Sequence, residues 1–216
     1  MLIYVEGNIG SGKSTFVNLL DKYFTSEKKI VLEPVDEWMS LKDENDKNLL
    51  ENFYGDQNKW SFAFQMNSFI SRVKKIADLS KNSDIPVFVE RSVFTDKHCF
   101  AENCYESGKM NKIEYDIYNR WHSWLVDTFN VKPDAYIYLK TSPQISQDRT
   151  KKRNRDGEET IPIEYLEILH DKHEKWMEHE KNNHKVLVVD VSDDFNNEEK
   201  MMTIIQQINE QILHKN

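Results

Sequence analysis

Gly7-Asn8-Ile9-Gly10-Ser11-Gly12-Lys13-Ser14 is the stretch that decides the fold class of this chain, because it fits the pattern G-x-x-x-x-G-K-[ST]. It directly follows the apolar run Leu2–Val5 and opens a helical pattern, which is the strand–loop–helix context that the motif requires. Glycines let backbone N–H groups converge on phosphate oxygens, and the helix N-terminus adds positive potential. The motif therefore predicts a triphosphate-binding loop in which Lys13 bridges the β- and γ-phosphates and the Ser14 hydroxyl ligates Mg²⁺.

Short apolar runs alternate with helical patterns along the whole chain. Strands are expected at Leu2–Val5, Ile30–Leu32, Pro86–Val89, Ala135–Leu139 and Val186–Val191. Helices are expected at Ser14–Phe24, Asn58–Leu79, Asn111–Phe129, Ile163–Met177 and Glu198–Leu213. This alternation predicts an α/β fold, a five-stranded parallel sheet flanked by helices, which binds ligands at the carboxyl ends of its strands.

Composition narrows the class of protein further. The 216 residues carry 29 Lys and Arg against 37 Asp and Glu, a net charge of −8, which argues against a general nucleic-acid binder. Its length is ample for a single domain spanning residues 1–216. Cys99 and Cys104 are too few for a disulfide framework, and no apolar run approaches the length of a membrane span. With no basic leader before Gly7, we expect a cytoplasmic protein with no membrane or nucleic-acid partner.

The phosphate loop is shared by GTPases, ATPase motors and small-molecule kinases, so the acceptor must be inferred from other residues. Glu33 is predicted to end the second strand, where a carboxylate can take or orient a hydroxyl proton. Glu90 and Arg91 end the third strand and can hold a metal-bound water and the reacting oxygens. From the residues alone, Glu33 could equally be a solvated loop glutamate. Glu90 and Arg91 could equally form a surface ion pair.

The longest predicted helix carries a polar face. Gln65, Ser68, Phe69 and Arg72 share one side of this helix, and Phe64 lies one position away. A glutamine amide can read the edge of a nucleobase, an arginine adds a bidentate donor, and a phenyl ring can form a stacking wall. The pattern by itself more often marks a core helix with polar residues at its exposed margin, by roughly two to one.

Several separate motifs keep one order and spacing along the chain. They are Gly7–Thr15, Glu33-Pro34-Val35 with Trp38, Tyr54 eleven residues before Gln65, Phe64-Gln65 with Ser71-Arg72, Glu90-Arg91-Ser92 with Asp96, and then Tyr136–Pro143, Arg149–Glu158, Ile161–Leu166, His170–Trp176 and Asp190–Phe195. Together they resemble the deoxynucleoside kinase family, which includes deoxycytidine, deoxyguanosine and insect-type multisubstrate kinases. The resemblance covers essentially the whole chain and implies a phosphate-loop kinase fold. It also implies transfer of the γ-phosphoryl group of ATP, with Mg²⁺, to the 5′-hydroxyl of a deoxynucleoside in nucleotide salvage.

The resemblance assigns roles to individual residues. Glu33 matches the general base, Arg91 the residue that holds the hydroxyl and the transferring group, and Glu90 the support of the Mg²⁺ shell with Ser14. The donor phosphates are expected on Gly7, Asn8, Ile9, Gly10, Ser11, Gly12, Lys13, Ser14 and Thr15. The deoxynucleoside is expected on Gln65 for the base, on Tyr54 and Glu158 for the 3′-hydroxyl, and on the aromatics Trp38, Phe64 and Phe100.

The basic run Asp148–Gly157 is, without the resemblance, a localisation signal or a solvated helix end. The family instead has an arginine-rich lid here, at about residues 149–160, with Arg149, Arg153 and Arg155 over the triphosphate. Gly157 departs from the paired acids of the deoxycytidine-type lid. Counting back from Pro162 therefore makes Glu158 the 3′-hydroxyl ligand and Glu159 the less favoured alternative. Asp194 and Phe195 match the loop that stacks on the donor adenine.

Base preference and assembly are also implied by the resemblance. Members for deoxycytidine and purine deoxynucleosides keep an arginine and an aspartate at the positions of Arg72 and Asp96, and Ser68 matches the serine of deoxyguanosine kinases. This predicts deoxyguanosine, deoxyadenosine or deoxycytidine over thymidine, although Arg72 and Asp96 could equally form a structural ion pair. The helices Asn58–Leu79 and Asn111–Phe129 are expected to pair into a homodimer. The alternatives are a thymidine-type kinase, a thymidylate-like monophosphate kinase, and an inactive nucleotide sensor.

Overall fold

The centre of the fold is a parallel sheet of five strands in the order β2-β3-β1-β4-β5. The computed structural model describes residues 1–77, 85–155, 157, 158, 160–193, 195 and 197–214. The strands are β1 Leu2–Glu6, β2 Lys29–Val31, β3 Val87–Glu90, β4 Ala135–Lys140 and β5 Lys185–Asp190. Central β1 pairs with β3 on one side, where Tyr4 faces Val89, and with β4 on the other, where Tyr4 faces Tyr136. The predicted α/β fold is confirmed, and every predicted strand is present within one or two residues of its expected bounds.

Ten α-helices and two π-helical segments surround this sheet in the part of the chain that is described. They are α1 Lys13–Tyr23, α2 Val35–Ser40, α3 Leu49–Gly55, α4 Gln57–Ala77, α5 Val93–Thr95, a π-helical turn Asp96–Ala101, α6 Glu102–Glu106, α7 Lys112–Phe129, α8 Pro143–Arg153, α9 Ile163–Glu180, α10 Glu198–Gln207 and a second π-helical segment Ile208–Leu213. The five predicted helices correspond to α1, α4, α7, α9 and the α10 region. The predicted end of the second of them, Leu79, lies outside the described residues.

Local side-chain bonds explain where several of these helices begin. Asn111 accepts a hydrogen bond from Glu114 N while the Glu114 carboxylate accepts one from Asn111 N, a capping box that starts α7. Asn48 and Glu51 form the same box at the start of α3. Helix α3 borders the cavity described below.

Side chains that alternate along the strands contribute to two separate hydrophobic cores, one on each face of the sheet. Tyr4, Val87 and Tyr136 face one side and pack with α4, α7 and α9, whereas Ile3 and Phe88 face the other side and pack with α1 and α10. Both faces of the sheet are thus covered by helices, as a parallel sheet requires. Burial of both faces fixes the carboxyl edge of the sheet as the open place for a ligand.

The second strand ends earlier than expected. It ends at Val31, so the prediction that Glu33 ends it is wrong by two residues. Beyond Val31 the backbone leaves the sheet, and Glu33 N donates to Glu90 Oε2 at 3.3 Å instead of to a neighbouring strand. The chain then turns at Pro34 into α2. Glu33 therefore lies on a short connection that a side chain of β3 holds over the sheet edge.

Two further expectations concern disulfide bonds and membrane spans. Cys99 and Cys104 are both free and buried. Across the described ranges, none of the helices combines the length and the apolar character that crossing a lipid bilayer demands.

Candidate active site

The phosphate loop wraps the carboxyl end of β1 and is held by its neighbours on both sides. Gly10 and Gly12 adopt the left-handed region with φ of 75° and 96°. A Cβ at Gly10 would lie 2.2 Å from Ser146 O, and one at Gly12 would lie 3.0 Å from the Phe195 ring. Only glycine permits both the left-handed backbone and these close approaches. The glycines therefore fix the backbone of the loop against its neighbours.

Lys13 and Ser14 carry the polar side chains of this cradle. The Lys13 ammonium donates to Gly7 O at 3.0 Å and Asn8 O at 2.7 Å. Burial and, to a lesser extent, the cation of Arg91 together lower the pKa of Lys13 to about 7, although Glu33 and Glu90 oppose this. Ser14 Oγ donates to Glu90 Oε1 at 2.5 Å. A hydroxyl and a carboxylate at the head of the phosphate loop are ligands suited to Mg²⁺.

Three of the nine predicted phosphate-loop residues do not line the cavity. The Asn8 side chain points away from it and donates to Leu166 O at 2.8 Å, while its Oδ1 accepts from Ile9 N. Ser11 is buried, and Gly7 packs closely against Ser11 and Leu139, so neither residue lines the cavity. These residues shape the backbone of the loop, whereas the cavity side is formed by Ile9, Gly10, Gly12, Lys13, Ser14 and Thr15.

Glu33 lies between two arginines at the centre of the site. Arg91 Nε donates to Glu33 Oε1 at 3.1 Å, and Arg72 Nη2 bonds the same oxygen. Burial alone would raise the pKa of Glu33, but Arg91, Arg72 and Lys13 outweigh burial and lower that pKa to about 2. Glu33 is therefore an ionised carboxylate whose second oxygen remains available to a hydroxyl donor.

Helix α4 and the π-helical turn build a polar recess behind Glu33. Arg72 Nη1 bonds both oxygens of Asp96, and it also donates to Ser68 Oγ at 3.2 Å. Burial raises the pKa of Asp96 to about 6 although Arg72 and Arg91 oppose it. Gln65 is fully buried, and its Oε1 has no hydrogen-bond partner among the described residues. An unmatched amide acceptor in a buried recess is what a ligand with an N–H edge would satisfy.

Aromatic side chains close the recess on two sides. The rings of Trp38 and Phe64 meet edge-on with their centroids 5.6 Å apart. The indole N–H of Trp38 donates to Ser71 Oγ at 2.9 Å. The Arg72 guanidinium lies 4.9 Å from the Trp38 ring, and that of Arg91 lies 4.9 Å from the Phe100 ring. Flat apolar walls on either side leave a slot suited to a planar base.

One residue of the predicted helix face does not belong to the recess. Phe69 packs against Tyr118 with ring centroids 5.3 Å apart in the core between the sheet and α7. Residues at i and i+4 differ by about 40° around a helix axis. This rotation turns Phe69 into the core while Gln65, Ser68 and Arg72 line the cavity.

Basic residues at the end of α8 and just after it line the other side of the cavity. Arg153 bonds Glu158 Oε2, and Arg155 Nη1 lies 3.2 Å from Glu158 Oε1. Glu158 is 5% exposed, and after burial it is the largest electrostatic influence that raises the pKa of Tyr54. Glu159 and Asp194, named in the sequence analysis, lie outside the described residues.

Arg149 and Phe195 flank the phosphate loop. Arg149 Nη2 donates to Val191 O at 2.7 Å, and its guanidinium lies 6.0 Å from the Phe195 ring. Phe195 also meets Phe16 of α1 edge-on at 6.2 Å. The predicted lid arginines and the predicted stacking residue thus border the same space.

These parts enclose one cavity of about 610 Å³. That volume is typical of a small-molecule site and exceeds what a phosphate group alone needs. Four lining residues were not predicted from the sequence, namely Val35, Leu50, Phe53 and Lys152. Phe53 stacks on Phe64 at 4.3 Å, but an apolar residue of a short helix gives no chemical signal in a sequence. The predicted residues that line the cavity are Ile9, Gly10, Gly12, Lys13, Ser14, Thr15, Glu33, Trp38, Tyr54, Phe64, Gln65, Ser68, Arg72, Glu90, Arg91, Asp96, Phe100, Arg149, Arg153, Arg155, Glu158 and Phe195.

Comparison with known proteins extends this description. The family described as "Deoxynucleoside kinase" matches residues 3–214. Deoxycytidine kinase 2 of Gallus gallus is 39% identical over 95% of this chain and 88% of its own length. Deoxycytidine kinase of Homo sapiens is 37% identical over 96% and 89%, and mitochondrial deoxyguanosine kinase of Xenopus laevis is 35% identical over 89% and 82%. The similarity runs from the first strand to the last helix and includes every element that lines the cavity.

Proposed function

The chain belongs to the deoxynucleoside kinase family, as its motifs indicated, and we propose that it phosphorylates the 5′-hydroxyl of a deoxynucleoside with Glu33 as the base. The single observation that carries this assignment is the position of Glu33. It lies in one cavity with the phosphate loop on one side and the Gln65–Arg72–Asp96 recess on the other. A sugar hydroxyl placed between these parts faces both a proton acceptor and the phosphoryl donor.

The geometry suits the proton transfer that this reaction needs. Phosphoryl transfer passes through a loose transition state in which the attacking hydroxyl becomes acidic only late. A carboxylate with a low pKa therefore orients the hydroxyl first and takes its proton as the P–O bond forms. Arg91 contacts Glu33 through Nε and is placed to stabilise the charge on the transferring group. Bound Mg²⁺ would be held by Ser14 and Glu90 and would neutralise charge on the phosphates.

A neutral acceptor agrees better with the charges than a nucleoside monophosphate does. In the described part of the chain, Arg72 and Arg91 are both paired with carboxylates, Glu33 and Asp96. An acceptor phosphate would have to displace one of these buried carboxylates. The ionised Glu33 would also repel it.

The recess favours deoxyguanosine, deoxyadenosine or deoxycytidine over thymidine. The Arg72–Asp96 pair fills the end of the recess and offers polar groups to ring nitrogens and an exocyclic amine. A 5-methyl group would meet this pair and gain no apolar contact there. Ser68, small and hydrogen-bonded to Arg72, leaves room for the larger purine.

We further propose a lid at about residues 149–160 within a single domain, a cytoplasmic location, and a homodimer. Ile113, Ile117, Trp121 and Trp124 are between 38% and 72% exposed along α7, and Ile70 on α4 is 43% exposed. A stripe of large apolar side chains of this kind marks a protein contact. Light scattering should give twice the monomer mass, and Trp121→Glu should give the monomer. A monomeric wild-type protein at micromolar concentration would remove the dimer.

The decisive experiment offers labelled ATP with four deoxynucleosides and their four 5′-monophosphates. We expect label on the deoxynucleosides, with thymidine having the lowest kcat/KM. Label on the monophosphates alone would overturn the proposal. Glu33→Gln should lower kcat by about 100- to 10,000-fold. Calorimetry with unlabelled nucleoside serves as its control, because retained binding with lost turnover separates a missing base from a collapsed site.

A further inference from the structure

Glu6 is a buried carboxylate that does not line the cavity. It is the last residue of β1, immediately before the phosphate loop, and it is 0% exposed. A buried carboxylate is stable only when its oxygens are bonded. Its partners therefore indicate what it does.

Both oxygens of Glu6 bind the turn that follows β3. Oε1 accepts from Ser92 N at 2.9 Å, and Oε2 accepts from the Thr95 hydroxyl. Ser92 Oγ in turn accepts from Phe94 N at 3.1 Å and Thr95 N at 3.2 Å, which caps the short helix α5. Glu6 thus joins the strand before the phosphate loop to the turn that carries Arg91.

Arg91 has an unusual backbone within this turn. Its φ of 62° lies in the left-handed region, which side-chain-bearing residues rarely adopt and which persists only where the surroundings fix it. The surroundings are two consecutive residues of β1, because Arg91 N donates to Val5 O at 3.0 Å and Ser92 N donates to Glu6. This backbone directs the Arg91 side chain over the Phe100 ring with its Nε on Glu33.

We propose that Glu6 is a positioning residue for phosphoryl transfer, which acts by holding the 91–95 turn so that the Arg91 guanidinium meets Glu33 and the reacting oxygens. The inference rests on the proposed function of Arg91. Without Glu6, Ser92 N loses its acceptor and Arg91 can relax to an ordinary extended backbone. The guanidinium then moves away from Glu33 even though no residue in the cavity has changed.

The inference predicts how Glu6 variants differ. Glu6→Ala should lower kcat by about 100-fold, the size expected for a displacement of about 1 Å in a catalytic group. The KM values for ATP and for the nucleoside should stay within about threefold, because the loop and the recess are intact. Glu6→Gln should restore most of kcat, since its carbonyl oxygen can accept from Ser92 N and its amide can donate to Thr95 Oγ1.

The test measures kcat, both KM values and thermal unfolding for five variants. They are Glu6→Ala, Glu6→Gln, Arg91→Ala, the combination Glu6→Ala/Arg91→Ala, and Thr95→Val. If Glu6 acts through Arg91, the combination should match Arg91→Ala within about twofold instead of multiplying the two losses. Thr95→Val should give a smaller loss than Glu6→Ala. Thr141→Val is its control, because Thr141 is also buried and its hydroxyl has no partner in the described residues.

Each result decides the matter. Multiplied losses in the combination would overturn the inference, and so would full kcat in a folded Glu6→Ala protein. If Glu6→Ala does not fold, Thr95→Val and Glu6→Gln carry the test: wild-type kcat in Thr95→Val would then overturn it. An Arg91→Ala protein with wild-type kcat would instead overturn the proposed function of Arg91 and leave the fold contact as it is.

Discussion

Two arginine–carboxylate groups border the cavity, and they differ in how deeply they are buried. On the acceptor side, Arg72 and Asp96 have side chains that are 4% and 2% exposed. On the donor side, Arg153 and Arg155 are 34% and 24% exposed around a Glu158 that is 5% exposed. The buried pair has no solvent to replace either partner, so it acts as a fixed part of the wall. The partly exposed arginines can exchange their carboxylate for a phosphate, provided that the buried Glu158 takes the 3′-hydroxyl of the nucleoside as its new partner.

This difference matches the two tasks of the site. A base must be recognised by shape and hydrogen bonds, which a rigid wall provides. The phosphate donor must enter as a triphosphate and leave as a diphosphate in every cycle, which requires cations that are neutralised when it is absent and free to move when it arrives. In the present structure Glu158 provides that neutralisation for Arg153 and Arg155.

The largest expected effect comes from breaking the buried pair on one side only. Asp96→Ala leaves Arg72 with Glu33 alone in a buried environment, which should lower the free energy of unfolding by about 3–5 kcal/mol. The double variant Arg72→Met/Asp96→Ala removes both charges and should recover most of that loss. Urea unfolding of the three proteins measures it. The exposed pair Lys112–Asp116 is the control, where Asp116→Ala should leave the free energy of unfolding essentially unchanged.

The same double variant also tests base preference. Replacing the pair by apolar groups opens the space that a 5-methyl group needs, so kcat/KM for thymidine relative to deoxycytidine should rise by about 10- to 100-fold. Equal stability of the single and double variants would show that the pair is not a fixed wall. An unchanged thymidine ratio would place base selection elsewhere in the recess.

Second in size is the effect of removing the charge of Glu158. Glu158→Gln frees Arg153 and Arg155 and weakens the contact expected at the 3′-hydroxyl. The KM for ATP should fall by about two- to fivefold, the range of half-exposed ion pairs. The kcat/KM for the nucleoside should fall by about tenfold or more, because a buried hydroxyl loses a charged acceptor.

An improved KM for ATP together with a lower kcat/KM for the nucleoside would indicate arginines that exchange their carboxylate for phosphate. Glu174→Gln is a matched control, since Glu174 pairs with Lys140 and Tyr138 away from the cavity and should change neither constant. If both constants worsen together in Glu158→Gln, then Glu158 only holds the segment in place and does not compete with phosphate.

The sequence predicts some residues of the cavity much better than others. Helical spacing was enough to place Gln65, Ser68 and Arg72 on one cavity wall, because one regular element carries all three. The phosphate loop was equally predictable, since its motif requires a defined strand and helix around it. Phe53 and Leu50 were not predictable, because they lie on a helix of seven residues whose position depends on a capping box and on the packing of Phe64. The bonds from Glu6 to Ser92 and Thr95 join residues more than eighty positions apart, and no local pattern announces them.

A smaller effect is expected where the donor-side segment touches α3. Gly157 has a φ of 83°, and a Cβ there would lie 3.1 Å from Glu51 Cα. Gly157→Ala should therefore lift this segment and lower kcat/KM for the nucleoside several-fold. Gly108 has a φ of 72° with open space around it, so Gly108→Ala should cost about 1 kcal/mol of stability with unchanged kinetics. Gly55→Ala, with open space and no positive φ, is the neutral reference. Kinetic effects of equal size in all three would contradict a specific contact.

The smallest expected effect is the uptake of a proton when the phosphate donor binds. Burial lowers the pKa of Lys13 to about 7, so at pH 8 this side chain is mostly deprotonated before a phosphate donor binds. A bound triphosphate stabilises the charged form and raises this pKa toward its ordinary value, so binding should take up most of one proton at that pH. Nucleoside binding should take up none, because the pKa values of Glu33 and Asp96, about 2 and about 6, leave both ionised at pH 8.

Calorimetry with a non-hydrolysable ATP analogue, run in two buffers of different ionisation enthalpy, measures this uptake directly. Lys13→Arg is the control, because a guanidinium stays protonated and should abolish the uptake while keeping the positive charge. Proton uptake on nucleoside binding would show that the acceptor wall also changes its charge, and the contrast between a fixed and an adjustable side would then be lost. Uptake confined to the donor shows that the adjustable charges are those facing the phosphates, which is what a site that must release a charged product requires.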